Sequence, residues 1–137
     1  MSGAARVPGP PPGLLFGEAW IRAYFAEVDR MDPDGLLAWY ADDGSFRFGN
    51  QPPAVGKPAI AAVLRAFYGS IRAMRHEATG VWADKDSGVF EAEVAFTAAD
   101  GRQVTVPAVS TMRLRGGRVA DFRMVMDAVP LVQGAAR

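Results

Sequence analysis

The chain changes its hydrophobic period once, and that change restricts the folds open to it more than any other feature. Up to about residue 74 the apolar residues recur at steps of three and four. Phe16, Trp20, Tyr24, Val28 and Met31 form one stripe within residues 14–31, and Ile60, Val63, Leu64, Phe67, Ile71 and Met74 form another. Both read as helix faces that must be buried against something. Between them Asp32 suits an N-cap and Pro33 the first position of a short second helix carrying Leu36, Leu37 and Tyr40, which Asp42-Asp43-Gly44 ends. Ser45 to Phe48 reads as a strand, and Pro58 opens the third helix. Beyond that point the spacing is that of strands. Asp84-Lys85-Asp86-Ser87-Gly88, Asp100-Gly101 and Arg115-Gly116-Gly117-Arg118 are turn sequences separating strands at 76–83, 89–98, 103–115 and 118–127. Helices followed by a strand meander predict an α+β fold: a cone-shaped, curved antiparallel sheet closed by three N-terminal helices.

A single domain, placed at residues 14–132, accounts for the 137 residues. Residues 1–13 carry Pro8, Pro10, Pro11, Pro12 and three glycines and are expected to form an extended or disordered tail, with residues 133–137 as a second flexible end. Fifteen basic residues balance fifteen acidic ones, so no net field holds nucleic acid or an anionic membrane. No apolar run approaches the ~20 residues of a membrane span, and no secretion-signal core is visible, so a cytoplasmic protein is expected. Cysteine is absent and His76 is the only histidine. Disulfides, thiolate sites and multi-histidine metal centres within one chain are thereby excluded, and neither a metal nor a cofactor is expected. The Gly49 to Gly56-Lys57 segment has the wrong spacing for a phosphate loop, and the dinucleotide and serine-hydrolase fingerprints are missing.

The remaining candidates are polar residues in apolar settings. Tyr24 interrupts an apolar helix stripe, so its hydroxyl needs a partner, either backbone or something functional. Tyr40 is similar, and Tyr68 borders the third helix stripe. Glu91 and Glu93 share one strand face with Ala95 and Thr97, opposite Phe90, Val94 and Phe96. Solvent is the ordinary place for such carboxylates. A cupped sheet would instead bury Glu93, desolvate it and suit it to proton transfer. His76 is the natural acid/base candidate as the sole imidazole. Asp127 ends the last strand, either capping nearby backbone or joining the site.

The string Ala38-Trp39-Tyr40-Ala41-Asp42-Asp43-Gly44-Ser45-Phe46 resembles the nuclear transport factor 2-like superfamily, in its SnoaL-like polyketide-cyclase branch. Gly56-Lys57-Pro58-Ala59-Ile60, Asp100-Gly101-Arg102 to Pro107, and Gly117-Arg118-Val119 to Met126-Asp127 extend the resemblance over residues 14–131. It implies the cystatin-like α+β barrel, with a pocket between helices and concave sheet face, and a homodimer through the outer sheet face, where Val104 and Val125 would be exposed. Tyr24 falls where ketosteroid isomerases keep an oxyanion-hole tyrosine and Tyr40 where some keep a supporting one. Phe48 stands in place of their base and Ser110 in place of their protonated aspartic acid. Limonene epoxide hydrolases are similar through the first strand. Their water-holding pair corresponds to Phe46 and Phe48, and their Asp-Arg-Asp set to Ala95, Glu93 and Met124. The resemblance therefore implies an apolar pocket of Phe46, Phe48, Ser110, Met112, Phe122, Met124 and Met126, with Glu93 as its carboxyl.

Two functions fit these residues. One is a cofactor-independent enzyme for an apolar or polycyclic small molecule, of polyketide or isoprenoid type. Glu93, with His76 or Asp127, would shuttle a proton, and Tyr24 would stabilise a developing enolate or alkoxide. The other is a non-catalytic small-molecule-binding or accessory domain of the same fold.

Overall fold

The structure, a computed structural model, describes residues 7–133. The elements run α1 (Glu18–Asp29), α2 (Pro33–Leu37), β1 (Tyr40–Phe48), β2 (Ala54–Val55), α3 (Lys57–Gly69), β3 (Ile71–Asp84), β4 (Ser87–Ala98), β5 (Gln103–Arg115), β6 (Arg118–Met126) and α4 (Val129–Gln133). The strands form one curved sheet in the order β2-β1-β6-β5-β4-β3, which does not close on itself. The helices α1 to α3 pack on its concave face. Among the described residues no helix is long and apolar enough to cross a membrane.

The predicted α+β class holds, with one correction to the sheet. It is antiparallel from β3 to β6 and between β1 and β2, but β1 pairs with β6 in parallel. A parallel partner needs a crossover connection, and here everything from β2 to β5 serves as one. Ser45 Oγ donates to Asp121 Oδ1 at 2.8 Å across this pair and pins its register. The sequence Asp42-Asp43-Gly44, expected to end a helix, is a bulge inside β1. Gly44 is required there, since a Cβ would lie 2.9 Å from the Val119 carbonyl oxygen. Tyr40 accordingly opens β1 instead of extending α2.

The third helix is shorter than its stripe suggested. It ends at Gly69, and Ile71 and Met74, which continue the helical spacing by coincidence, are buried from β3. The first helix begins at Glu18, after an extended Gly17, although Leu14 and Phe16 still pack against the core. At its other end Met31 takes the left-handed conformation (φ 57°) that turns the chain into Asp32-Pro33, the expected N-cap and first position of α2. Of the expected N-terminal tail, residues 1–6 lie outside the described residues. Within residues 7–13 Gly9 lies close against Ala38, and Val7, Pro8 and Pro10 to Gly13 share a groove with Phe16, Leu114 and Arg118. Of the C-terminal tail, residues 134–137 lie outside.

Along β4 and β5 burial alternates strictly: Phe90, Ala92, Val94 and Phe96 with Val106, Ala108, Ser110, Met112 and Leu114 face the helices. Their partners toward α1 are Trp20, Ile21, Tyr24 and Phe25, all nearly inaccessible to solvent. This aromatic layer between α1 and the sheet makes the core and floors the site described next.

Candidate active site

Two lines of residues decide what α1 offers the interior. Trp20, Tyr24 and Val28 form one line at i, i+4, i+8, and Ile21, Phe25 and Asp29 form the line beside it. The second line ends in a carboxylate. Asp29 Oδ1 lies 2.6 Å from His76 Nδ1, and Asp29 Oδ2 accepts the His76 backbone N–H at 2.9 Å. Both oxygens are thus committed to one residue, which fixes the imidazole. With Nδ1–H donated to Asp29, Nε2 keeps its lone pair and can act as a base. The ring is 4% exposed and rests beside Phe25 and Phe90, whose own rings stack at 3.8 Å.

His76 forms part of the wall of a small cavity of about 30 Å³ under the helices. Tyr24, Phe25 and Val28 line it from α1, Leu64, Phe67 and Tyr68 from α3, and Phe46, Met74, Phe122 and Met124 from the sheet. Its hydroxyls are engaged. Tyr24 and Tyr40 share a hydrogen bond of 2.7 Å, and Tyr68 donates to the Val28 carbonyl at 3.0 Å. Two hydroxyls hold two protons, and the Tyr24–Tyr40 bond uses one. When Tyr40 donates, the free proton belongs to Tyr24, which faces the cavity. Burial pushes all three phenols far above their ordinary value; for Tyr68 the Asp29 charge adds to this. They are therefore neutral donors at any ordinary pH.

The predicted site residues divide into four groups. Tyr24, Tyr68, His76, Phe46, Phe122 and Met124 meet at the cavity, with Tyr40 directly behind Tyr24. Phe48 lies just outside, in a groove it shares with Phe46. Ser110 and Met112 are buried on the same side of the sheet but do not line the cavity. Glu93 and Asp127 are elsewhere. Glu93 is exposed on the outer sheet face, opposite Glu77 and Pro107, so the expected pocket carboxyl is not Glu93. The reason is alternation: with Ala92 and Val94 buried, only a one-residue slip of the whole strand would turn Glu93 inward. Asp127 caps the turn into α4, accepting the Val129 N–H at 3.0 Å, and shares an outer groove with Glu91 and Glu93. The carboxyl that does reach the site is Asp29, through its bonds to His76. The i, i+4 relation to Phe25 was the available signal. Among the described residues no cluster of acidic and histidine side chains is arranged to hold a metal.

The sequence profile of the SnoaL-like domain matches residues 21–122, most of the chain. The protein belongs to the SnoaL-like domain family. The SnoaL-like cone superposes on an NTF2-like protein of unknown function from Burkholderia pseudomallei (TM-score 0.74, 22% identity, covering 82% of this chain and 92% of that one). It also matches a SnoaL-like polyketide cyclase candidate from Jannaschia (TM-score 0.73, 16% identity, 82% and 86% covered) and an LEH-like epoxide hydrolase from M. tuberculosis (TM-score 0.68, 19% identity, 85% and 86% covered). These likenesses establish the fold of the SnoaL-like chain. No curated protein matches its sequence.

Proposed function

We propose that the protein is a cofactor-independent acid/base enzyme that isomerises, cyclises or dehydrates an apolar small molecule of polyketide or isoprenoid type. The observation carrying this reading is the His76–Asp29 pair at the wall of an otherwise apolar cavity. His76 Nε2 takes a proton from a carbon next to a carbonyl, and the electron pair moves onto the carbonyl oxygen. The Tyr24 hydroxyl, whose proton is available when Tyr40 donates to it, donates to that oxygen as its charge develops, while Asp29 stabilises the imidazolium. The proton then returns to another carbon, or to a departing hydroxyl that leaves as water. In cyclisation the enolate carbon attacks a second carbonyl. Neutral phenols suit the donor role, because they present a proton without introducing charge.

Exchange of deuterium from heavy water into β-tetralone, followed by proton NMR, tests the proposal without knowledge of the natural substrate. The protein is expected to accelerate exchange; His76→Gln abolishes the acceleration, and Asp29→Asn lowers it by roughly 10²–10⁴-fold. Exchange undiminished in folded His76→Gln removes His76 as the base. A second reading, a ligand-binding domain without turnover, is favoured by the engagement of every cavity tyrosine in an internal bond. It predicts binding that is nearly flat with pH and no exchange.

The outer sheet face supports a homodimer as the working form. Val125 and the adjacent Val109 are exposed there, with Glu91 and Glu93 toward one end and Arg113 and Arg123 toward the other, whereas Val104, expected on this face, is partly buried against the core. A two-fold axis near Val109 sets each acidic end against the partner's basic end.

A further inference from the structure

The cavity beside His76, about 30 Å³, is far smaller than the roughly 300–1,000 Å³ of sites for organic ligands. In this conformation it is too small to hold a substrate. Immediately outside, between α3 and the end of β1, lies a groove of about 520 Å³ walled by Phe48, Pro52 and Val63. Phe46 and Phe67 belong to both spaces and form the partition between them.

The two rings are not held equally. Phe46 is 7% exposed and stacks on Phe122 with centroids 5.3 Å apart and planes 19° from parallel, so the sheet fixes it. Phe67 is half-buried on α3. It meets Phe48, Tyr68 and Phe96 only at tilted or edge contacts of 6.0–6.3 Å. Rotation of Phe67 about its side-chain bonds, a fast motion for a partly exposed ring, joins groove and cavity into one site of ligand size. Polar groups are distributed unevenly along that site. His76 and the Tyr24 hydroxyl stand at its inner end, Gln51 is at its outer rim, and the path between them is aromatic and aliphatic.

We infer that the ligand site runs from His76 past Phe67 into the groove. Phe67 is its specificity-determining residue, and the occupant is an elongated apolar molecule of about two rings with one hydroxyl or carbonyl at its leading end. This deepens the acid/base reading by naming a substrate class, but the binding route stands or falls on its own measurements.

Calorimetric titration with para-phenylphenol and with phenol tests it on the full chain and on Phe67→Trp, Phe67→Ala and His76→Gln. The wild-type protein is expected to bind para-phenylphenol about tenfold or more tightly than phenol. Phe67→Trp, which refills the partition, weakens para-phenylphenol by about tenfold or more, and Phe67→Ala, which removes it, binds at least as tightly as wild type. The ring-proton NMR signals of His76, assignable without ambiguity because the chain has one histidine, shift on binding. Absence of para-phenylphenol binding to wild type, unchanged binding in folded Phe67→Trp, loss of binding in Phe67→Ala, or unmoved His76 signals overturns the inference. His76→Gln separates the two readings. It loses deuterium exchange if both hold; exchange that persists in it removes the catalytic assignment alone, and the Phe67 variants decide the binding route.

Discussion

Alkaline titration reaches the argument for neutral phenol donors directly, because every tyrosine in the chain takes part. The protein has three, Tyr24, Tyr40 and Tyr68, and burial raises each above the ordinary value of 10.0. Above pH 10 the unfolded chain gives up these protons and the folded chain keeps them. The folded state then binds more protons, so the stabilisation is complete below pH 10 and is lost as pH rises beyond it. Each tyrosine removes about 1.4 kcal/mol per pH unit, and the three together about 4 kcal/mol per unit. Against a domain stability of about 5–15 kcal/mol, the fold should fail roughly one to four units above pH 10. Ultraviolet absorbance of phenolate, recorded with circular dichroism on the same samples, reads both events. At pH 10 the folded protein should show no phenolate, and further up all three should appear together with the loss of ellipticity. One phenolate titrating near pH 10 with the dichroism intact would refute the reasoning for that residue, and with it the neutral-donor role if the residue is Tyr24.

Tyr24→Phe strands the Tyr40 hydroxyl in the core and should cost about 1–3 kcal/mol in urea unfolding, whereas the Tyr24→Phe/Tyr40→Phe double variant should cost less than the sum of the singles. Gly44→Ala forces a Cβ against the Val119 carbonyl at the β1 bulge and should destabilise by about 1–3 kcal/mol in the same assay; a neutral result would mean that the bulge shifts freely. Val125→Asp should convert a dimer to monomer by light scattering without loss of ellipticity, and a monomeric wild-type protein at micromolar concentration retires the dimer.

The fold was legible because helix and strand periods occupy different halves of the chain and leave little ambiguity about class. Boundaries were legible only where chemistry marks them. Gly116-Gly117 delimited β5 and β6 closely, with β6 ending one residue early, while Gly69-Ser70 went unread because Ile71 and Met74 happen to continue the helical spacing. Asp42-Asp43-Gly44 has turn composition, and nothing local distinguishes a helix stop from a bulge whose partner strand is more than seventy residues away. The site divides along the same line. Tyr24 and His76 were visible as single unusual residues. The link to Asp29 was not, since it joins α1 to β3 across forty-seven positions. Glu93 was misplaced by a family correspondence that its own alternation with Ala92 and Val94 contradicts.

The parallel β1–β6 pair also sets an order of assembly. The hairpins β3–β4, β4–β5 and β5–β6 close over short loops and form quickly as the chain lengthens. β1 is made early, yet its partner strand is almost the last segment to be synthesised. Until residues 118–126 emerge, β1 carries an unpaired edge and the aromatic layer of α1 has only part of its sheet to cover. Closing that seam is the long-range step, and loop-closure entropy makes it the expected rate-limiting one. A nascent chain halted before β6 would therefore hold a formed hairpin array beside an exposed strand, which is the state a chaperone would meet.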